Sequence, residues 1–94
     1  MTTFANNSRL LAQCLRILGH PDRLHIAFTL SQHPATVAEL EATTRIAQPY
    51  LSQHLASLRK AQLLVATRTA RSVTYRLSSG LPENLISALL LADQ

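Results

Sequence analysis

The chain has 94 residues, of which 47% are hydrophobic and 15% charged, with a formal net charge of +4. A chain of this length is expected to form one domain, residues 1–94, whose burial alone supports modest stability, so a second copy that adds buried area is expected. The basic balance favours a polyanionic partner, and the single cysteine excludes an intramolecular disulfide or a multi-cysteine zinc site within one chain.

At the N-terminus, Met1 to Asn7 lacks the basic residues and apolar run of a signal peptide, and no later stretch approaches the roughly 18 apolar residues of a membrane span. A soluble, cytoplasmic chain is expected. The first helix is predicted over 8–18, where Leu10, Leu11, Cys14, Leu15, Ile17 and Leu18 form a stripe too broad to be covered by so small a body. It reads as an interface helix, with Leu10, Leu11, Cys14, Leu15 and Leu18 at the contact. Gly19 stops it, and Pro21 with Asp22 opens a second helix that runs through Leu24, Ile26, Ala27, Phe28 and Leu30 to about Gln32 and should be central. Gln32-His33-Pro34-Ala35 reads as a linker.

Thr36-Val37-Ala38-Glu39 then matches a capping box, in which the threonine hydroxyl accepts from the glutamate amide and the carboxylate reaches back to the threonine amide. A third helix should begin there. Its pattern breaks at Arg45-Ile46-Ala47, and Gln48-Pro49 restarts a helix, since proline is tolerated in a first turn. The result is a helix-turn-helix over 37–61. In its second helix Leu51, Leu55 and Leu58 fall at i, i+4 and i+7 on one apolar stripe. Pro49, Gln53, Ala56, Ser57 and Lys60 face away from it, flanked by Gln48, Tyr50, Ser52, His54 and Arg59. Glutamine can bond adenine in two places, serine can bond phosphate or base edges, and lysine and arginine neutralise phosphate. Gln48, Tyr50, Ser52, Gln53 and His54 are therefore the expected DNA-reading set, with Gln53 foremost. The same residues would also suit the solvated face of a core helix.

The next segment favours DNA. Leu64-Val65-Ala66-Thr67-Arg68-Thr69 and Ser72-Val73-Thr74-Tyr75-Arg76-Leu77 alternate and are rich in β-branched residues, which predicts a hairpin over 64–77 turning at Ala70-Arg71. No acidic residue lies between Glu41 and Glu83, so the unit carries uncompensated positive charge whose natural counter-ion is phosphate. Arg68 and Arg71, with Arg59 and Lys60, are expected on phosphate or the flanking minor groove. After Ser78-Ser79-Gly80, Leu81-Pro82 opens a leucine-rich last helix over 82–92, with Leu85 and Leu89 expected at a contact with the first helix or its mate. A mainly α fold with a small β-hairpin follows, paired about a two-fold axis. Such a pair would present its reading helices to an inverted repeat in successive major grooves, roughly 34–36 Å apart.

The motifs Leu18-Gly19-His20-Pro21-Asp22-Arg23-Leu24, Val37-Ala38-Glu39-Leu40, Gln48-Pro49-Tyr50-Leu51-Ser52-Gln53-His54-Leu55, Leu58-Arg59-Lys60-Ala61 and Val73-Thr74-Tyr75-Arg76-Leu77 together resemble the ArsR/SmtB family of winged helix-turn-helix repressors. The resemblance extends from Leu15 to Leu91. It implies the order α-α-α-α(recognition)-β-β(wing)-α and a homodimer that occupies promoter DNA and releases it when an inducer, often a soft metal or an oxidant, binds. The ligand sets that the resemblance would bring are missing. Thiophilic-metal sensors carry Cys-x-Cys just before the helix that here begins at Val37, where this chain reads Gln32-His33-Pro34-Ala35-Thr36. Others use aspartate and histidine on the last helix, which here has no histidine. Sulfur- and redox-sensing relatives pair cysteines on the second and last helices, and this chain has neither. The inducer is left unnamed. At Gln62 the family usually places glycine, so the reading helix should either strain that residue or end differently.

Cys14, if close to its mate across a dyad, would offer a redox switch, although a buried cysteine is more often a small hydrophobe. His20, His25, His33 and His54 show no i, i+4 pair, so no metal site is expected; His20 reads as a capping or surface group and His54 as a DNA-side or packing residue. No cofactor is implied. Nor can a nucleophile, histidine and carboxylate be placed together, so an enzyme is not expected. The competing class is a winged helix whose partner is a protein with an acidic surface.

Overall fold

The computed structural model describes residues 2–94, with side chains from Ser8 onward. In chain order it contains α1 (Thr2–Leu18), α2 (Pro21–Gln32), β1 (Ala35–Thr36), α3 (Val37–Thr44), α4 (Tyr50–Lys60), β2 (Leu64–Thr69), β3 (Ser72–Leu77) and α5 (Leu81–Ala92). All five expected helices and both hairpin strands are present, in the winged helix-turn-helix arrangement. The helix α1 starts at Thr2 rather than Ser8. Its periodic apolar signal starts only at Leu10, so the polar residues ahead of it give no sequence sign of helix.

Helix α2 is the central element, packing on α1, α3, α4, α5 and β3. His20 caps it: the imidazole Nδ1 accepts from the Asp22 amide at 3.1 Å, and Pro21 fills the first turn. Ile26, Ala27 and Leu30 are its buried residues; with Leu40, the α4 stripe Leu51, Leu55 and Leu58, Leu77 and Ile86 they make one apolar core. Each fully buried leucine or isoleucine there contributes about 1.5–3 kcal/mol through loss of apolar surface to water. Leu18 is 4% exposed and belongs to this core. It is therefore unavailable to a second subunit, contrary to the expectation that placed it at the interface. The stripe on α1 is broad because its lower end serves the core.

The expected linker before α3 holds a third strand. Ala35 pairs with Tyr75 and Thr36 with Thr74, giving an antiparallel sheet in the order β1-β3-β2. Two residues are too few for alternation to show, and the pairing comes from β3. Thr36 also caps α3 as expected, with its hydroxyl accepting from the Glu39 amide at 3.2 Å and the Glu39 carboxylate accepting from the Thr36 amide at 2.8 Å. That bond from the Thr36 amide, followed by the bond from its hydroxyl, holds the Glu39 carboxyl below the usual glutamate range.

Between α3 and α4 the chain reverses at Arg45, whose φ of 61° is left-handed. The buried Thr44 hydroxyl ties the turn, donating to the Leu40 carbonyl at 2.7 Å and accepting from the Ile46 amide at 3.2 Å. Helix α4 ends in a Schellman motif: the Gln62 amide donates to the Arg59 carbonyl and the Leu63 amide to the Leu58 carbonyl, both at 2.9 Å. Gln62, with φ 65°, takes the position glycine would favour, at a cost of roughly 1–2 kcal/mol. The apolar contact expected of that motif is supplied by Leu58 and Leu63, both buried.

The hairpin register runs from Leu64↔Leu77 to Thr69↔Ser72, with the turn at Ala70-Arg71 as read from the sequence. Its base is closed one step further by the Ser78 amide, which donates to the Leu63 carbonyl. Gly80, with φ 87°, then allows the reversal into α5, a conformation in which any side chain would be strained.

Candidate nucleic-acid interface

The surface of α4 follows from its two helical faces. Leu51, Leu55 and Leu58 lie against the core, and Ser52, Gln53, Ala56, Arg59 and Lys60 are exposed on the other side. Tyr50 opens the helix with 61% of its surface in solvent. From Tyr50 to Lys60 the exposed face is about 15 Å long, enough to span several base pairs of a major groove. Its ends differ: amide, hydroxyl and phenol groups gather at the N-terminus, whose unpaired N–H groups favour anions, while Arg59 and Lys60 stand at the C-terminus.

Helix α4 begins at Tyr50, two residues later than the Gln48-Pro49 restart read from the sequence. Pro49 occupies the cap position, with φ −87° and ψ 4°, and has no side-chain oxygen to offer. Gln48 supplies it instead, its Oε1 accepting from the Ser52 amide at 3.0 Å. The Gln48 carbonyl oxygen is thus engaged in holding the helix start, which leaves its NH₂ group as the reading atom. Arg68, Arg71 and Arg76 are all exposed on the hairpin, and Arg71 sits in the turn itself.

His54 departs from the expected set. Only 13% of its side chain is exposed, because position 54 falls beside the Leu51–Leu55 stripe and faces the start of α2. There Arg23 Nε–H donates to His54 Nδ1 at 3.3 Å, the His54 Nε2 lies 3.6 Å from Asp22 Oδ2, and the His20 ring stands with its centroid 4.6 Å away. His54 is therefore a packing residue of the interior side of α4. It cannot reach a base while so placed.

This cluster was invisible in linear spacing, since His54 comes from a different helix than His20 and Asp22. A ligand atom from each of the three lies within 4.8 Å of the others, the one such group among the described residues. The hydrogen bonds do not suit a cation. A ligating imidazole normally donates from its other ring nitrogen. Here the Nδ1 atoms of both His20 and His54 accept hydrogen bonds, so each neutral ring carries its hydrogen on Nε2, and the Arg23 guanidinium adds a positive charge alongside.

On α1 and α5, Leu10 and Leu15 are 56% and 48% exposed and Leu91 is 71% exposed. Leu11, Cys14, Leu85 and Leu89 are half-buried. A groove of about 310 Å³ between α2 and α5 is lined by Leu24, Phe28, Leu89, Ala92 and Asp93. Burial pushes the Cys14 thiol above its ordinary range, which keeps it protonated and a poor nucleophile at neutral pH.

Residues 20–64 match the family model described as bacterial regulatory protein, arsR family. A biofilm growth-associated repressor from Agrobacterium fabrum is 44% identical over 79 residues, which are 84% of this chain and 68% of that protein. The chain belongs to the arsR family. Among solved structures, the transcriptional repressor BigR from Xylella fastidiosa superposes with a TM-score of 0.87 at 32% identity, covering 97% of this chain and 93% of that one. HlyU from Vibrio cholerae superposes equally well, with a TM-score of 0.87 at 34% identity over 94% of this chain and 97% of its own. This arsR-family chain is thus a DNA-binding transcriptional regulator with a winged helix-turn-helix, and no helix among its described residues is long and apolar enough to cross a membrane.

Proposed function

We propose that the chain is a cytoplasmic homodimeric repressor that occupies an inverted-repeat operator, with residues 37–61 as its helix-turn-helix, 64–77 as its wing, and α1 and α5 as its dimerisation helices. The observation that carries this reading is the exposed polar face of α4, from Tyr50 through Gln53 to Lys60, continuous in sequence with a basic hairpin and unopposed by any carboxylate between Glu41 and Glu83. Gln53 reads a base, Ser52 and Tyr50 bond phosphate or base edges, and the Gln48 NH₂ assists from the cap. Arg59, Lys60, Arg68 and Arg71 neutralise phosphate. The exposed leucines of α1 and α5 are covered by the second copy, which sets two α4 helices about one helical turn of DNA apart. The names of the relatives support repression, since the Agrobacterium and Xylella proteins are both called repressors.

Selection of bound fragments from random duplex DNA tests this directly. The expected product is a pseudo-palindrome with half-sites about 10–10.5 base pairs apart. Recovery of no common sequence, or of an unpaired half-site, would overturn the proposal.

A further inference from the structure

His54 is the residue of the reading helix that the fold turns inward, and its partners come from the start of α2. Arg23 grips it from one side, donating Nε–H to His54 Nδ1 while its Nη1 donates to the Ile17 carbonyl of α1 at 3.4 Å. Asp22 faces the other ring nitrogen at 3.6 Å, and His20 packs against the ring. The charged and titratable groups that face His54 are therefore His20, Asp22 and Arg23. These polar contacts tie α4 to the start of α2.

Two hydrogen positions follow from these partners. Nδ1 receives an N–H and so carries none, which leaves the single ring hydrogen on Nε2, pointing at the Asp22 carboxylate. The neutral Nε2–H ring satisfies both neighbours. A second proton must go on Nδ1, where it meets the Arg23 N–H donor head-on. The bond to Arg23 is lost, and two cations then face each other about one hydrogen-bond length apart at Nδ1, while the Asp22 carboxylate lies on the far side of the ring, at Nε2.

We propose that His54 is a positioning residue: its neutral ring pins the reading helix to the first turn of α2, and protonation at Nδ1 releases the pin, so operator binding weakens in mild acid. The proposal rests on the reading of α4 as the DNA-contacting helix. Burial pushes the His54 imidazole below its ordinary value of 6.5, the charges of His20 and Arg23 add to that, and Asp22 opposes it. The sign follows from linkage. The undocked ring takes up the proton more readily than the docked one, so the pin is complete above about 6.5 and is lost as the pH falls from there through the lower docked value.

The test is operator affinity by fluorescence anisotropy at fixed ionic strength, from about pH 7.5 to about pH 5.5, for the full chain and for His54→Gln, which keeps an acceptor and a donor but cannot take a proton. The wild type should lose affinity several-fold more than the variant over this range, with a slope of at most about tenfold per pH unit for each His54, hence about a hundredfold per pH unit for the two rings of a dimer. Parallel curves would overturn the proposal. Nitrogen NMR of the wild-type ring needs no variant. It should report a protonated Nε2 and a bare Nδ1 near neutral pH, and a hydrogen on Nδ1 there would also overturn the pin. Failure of the wild type to bind any selected duplex at any pH would instead strike the operator reading, and the pin would then be decided by the ring NMR.

Discussion

Leu10 and Leu91 on the α1–α5 flank are exposed about as fully as Tyr50 at the start of α4, 56% and 71% against 61%. Exposure is thus alike in the two regions, and chemistry separates them. Around Tyr50 the neighbours are Ser52, Gln53 and the cap residue Gln48, with arginines on the hairpin beyond. Around Leu10 and Leu91 they are further leucines, and α5 carries no basic residue in its last turn. A polar, cationic face can remain in water until a polyanion meets it, whereas a leucine-lined flank is a liability unless covered. The difference teaches that exposure alone does not define a site: the polar, cationic face suits a duplex, and the leucine-lined flank suits the second copy proposed above.

The largest effect should come from attacking the apolar flank. Replacing both Leu10 and Leu15 with glutamate is expected to convert the protein to monomers in sedimentation and to weaken operator binding roughly 10²–10⁴-fold, the range by which linking two half-site readers raises avidity. A double variant that stays dimeric would move the interface elsewhere. On the polar face, Gln53→Ala should lose about 1–3 kcal/mol of discrimination between operator and scrambled duplex while leaving the dimer intact. Equal losses on both duplexes would remove Gln53 from base reading. The smallest effect belongs to the hairpin tip: Arg71→Ala should weaken both duplexes alike and reduce the slope of log affinity against log salt by about 0.9, the share of one phosphate contact. An unchanged slope would detach the wing from the backbone.

Much of this arrangement was legible in the residues. The Thr36 to Glu39 capping box, the Leu51-Leu55-Leu58 stripe and the turn at Ala70-Arg71 each depend on neighbours within a few positions, and each appears in the structure as read. What escaped depended on distant partners. Ala35-Thr36 is a strand because β3 lies beside it, Leu18 is a core residue because α1 reaches the central helix, and His54 turns inward because α2 presents Arg23 and Asp22 to it. The start of α4 was misread for a local reason. The pattern points to proline in the first turn, whereas the cap oxygen comes from the glutamine ahead of it. Gln62 is an odd residue for its place in the sequence, and only the completed Schellman bonds reveal that it accepts the strain.

Thr36 ends β1 and caps α3, so a single residue is held by the sheet on one side and by the helix-turn-helix on the other. The Leu63 carbonyl, just past α4, is clasped by the far end of the hairpin at Ser78. Wing and reading helix are consequently braced at two points, and tilting one drags the other with it. Their mutual angle is settled when the chain folds, so on the reading proposed above docking on a duplex has little internal freedom left to quench.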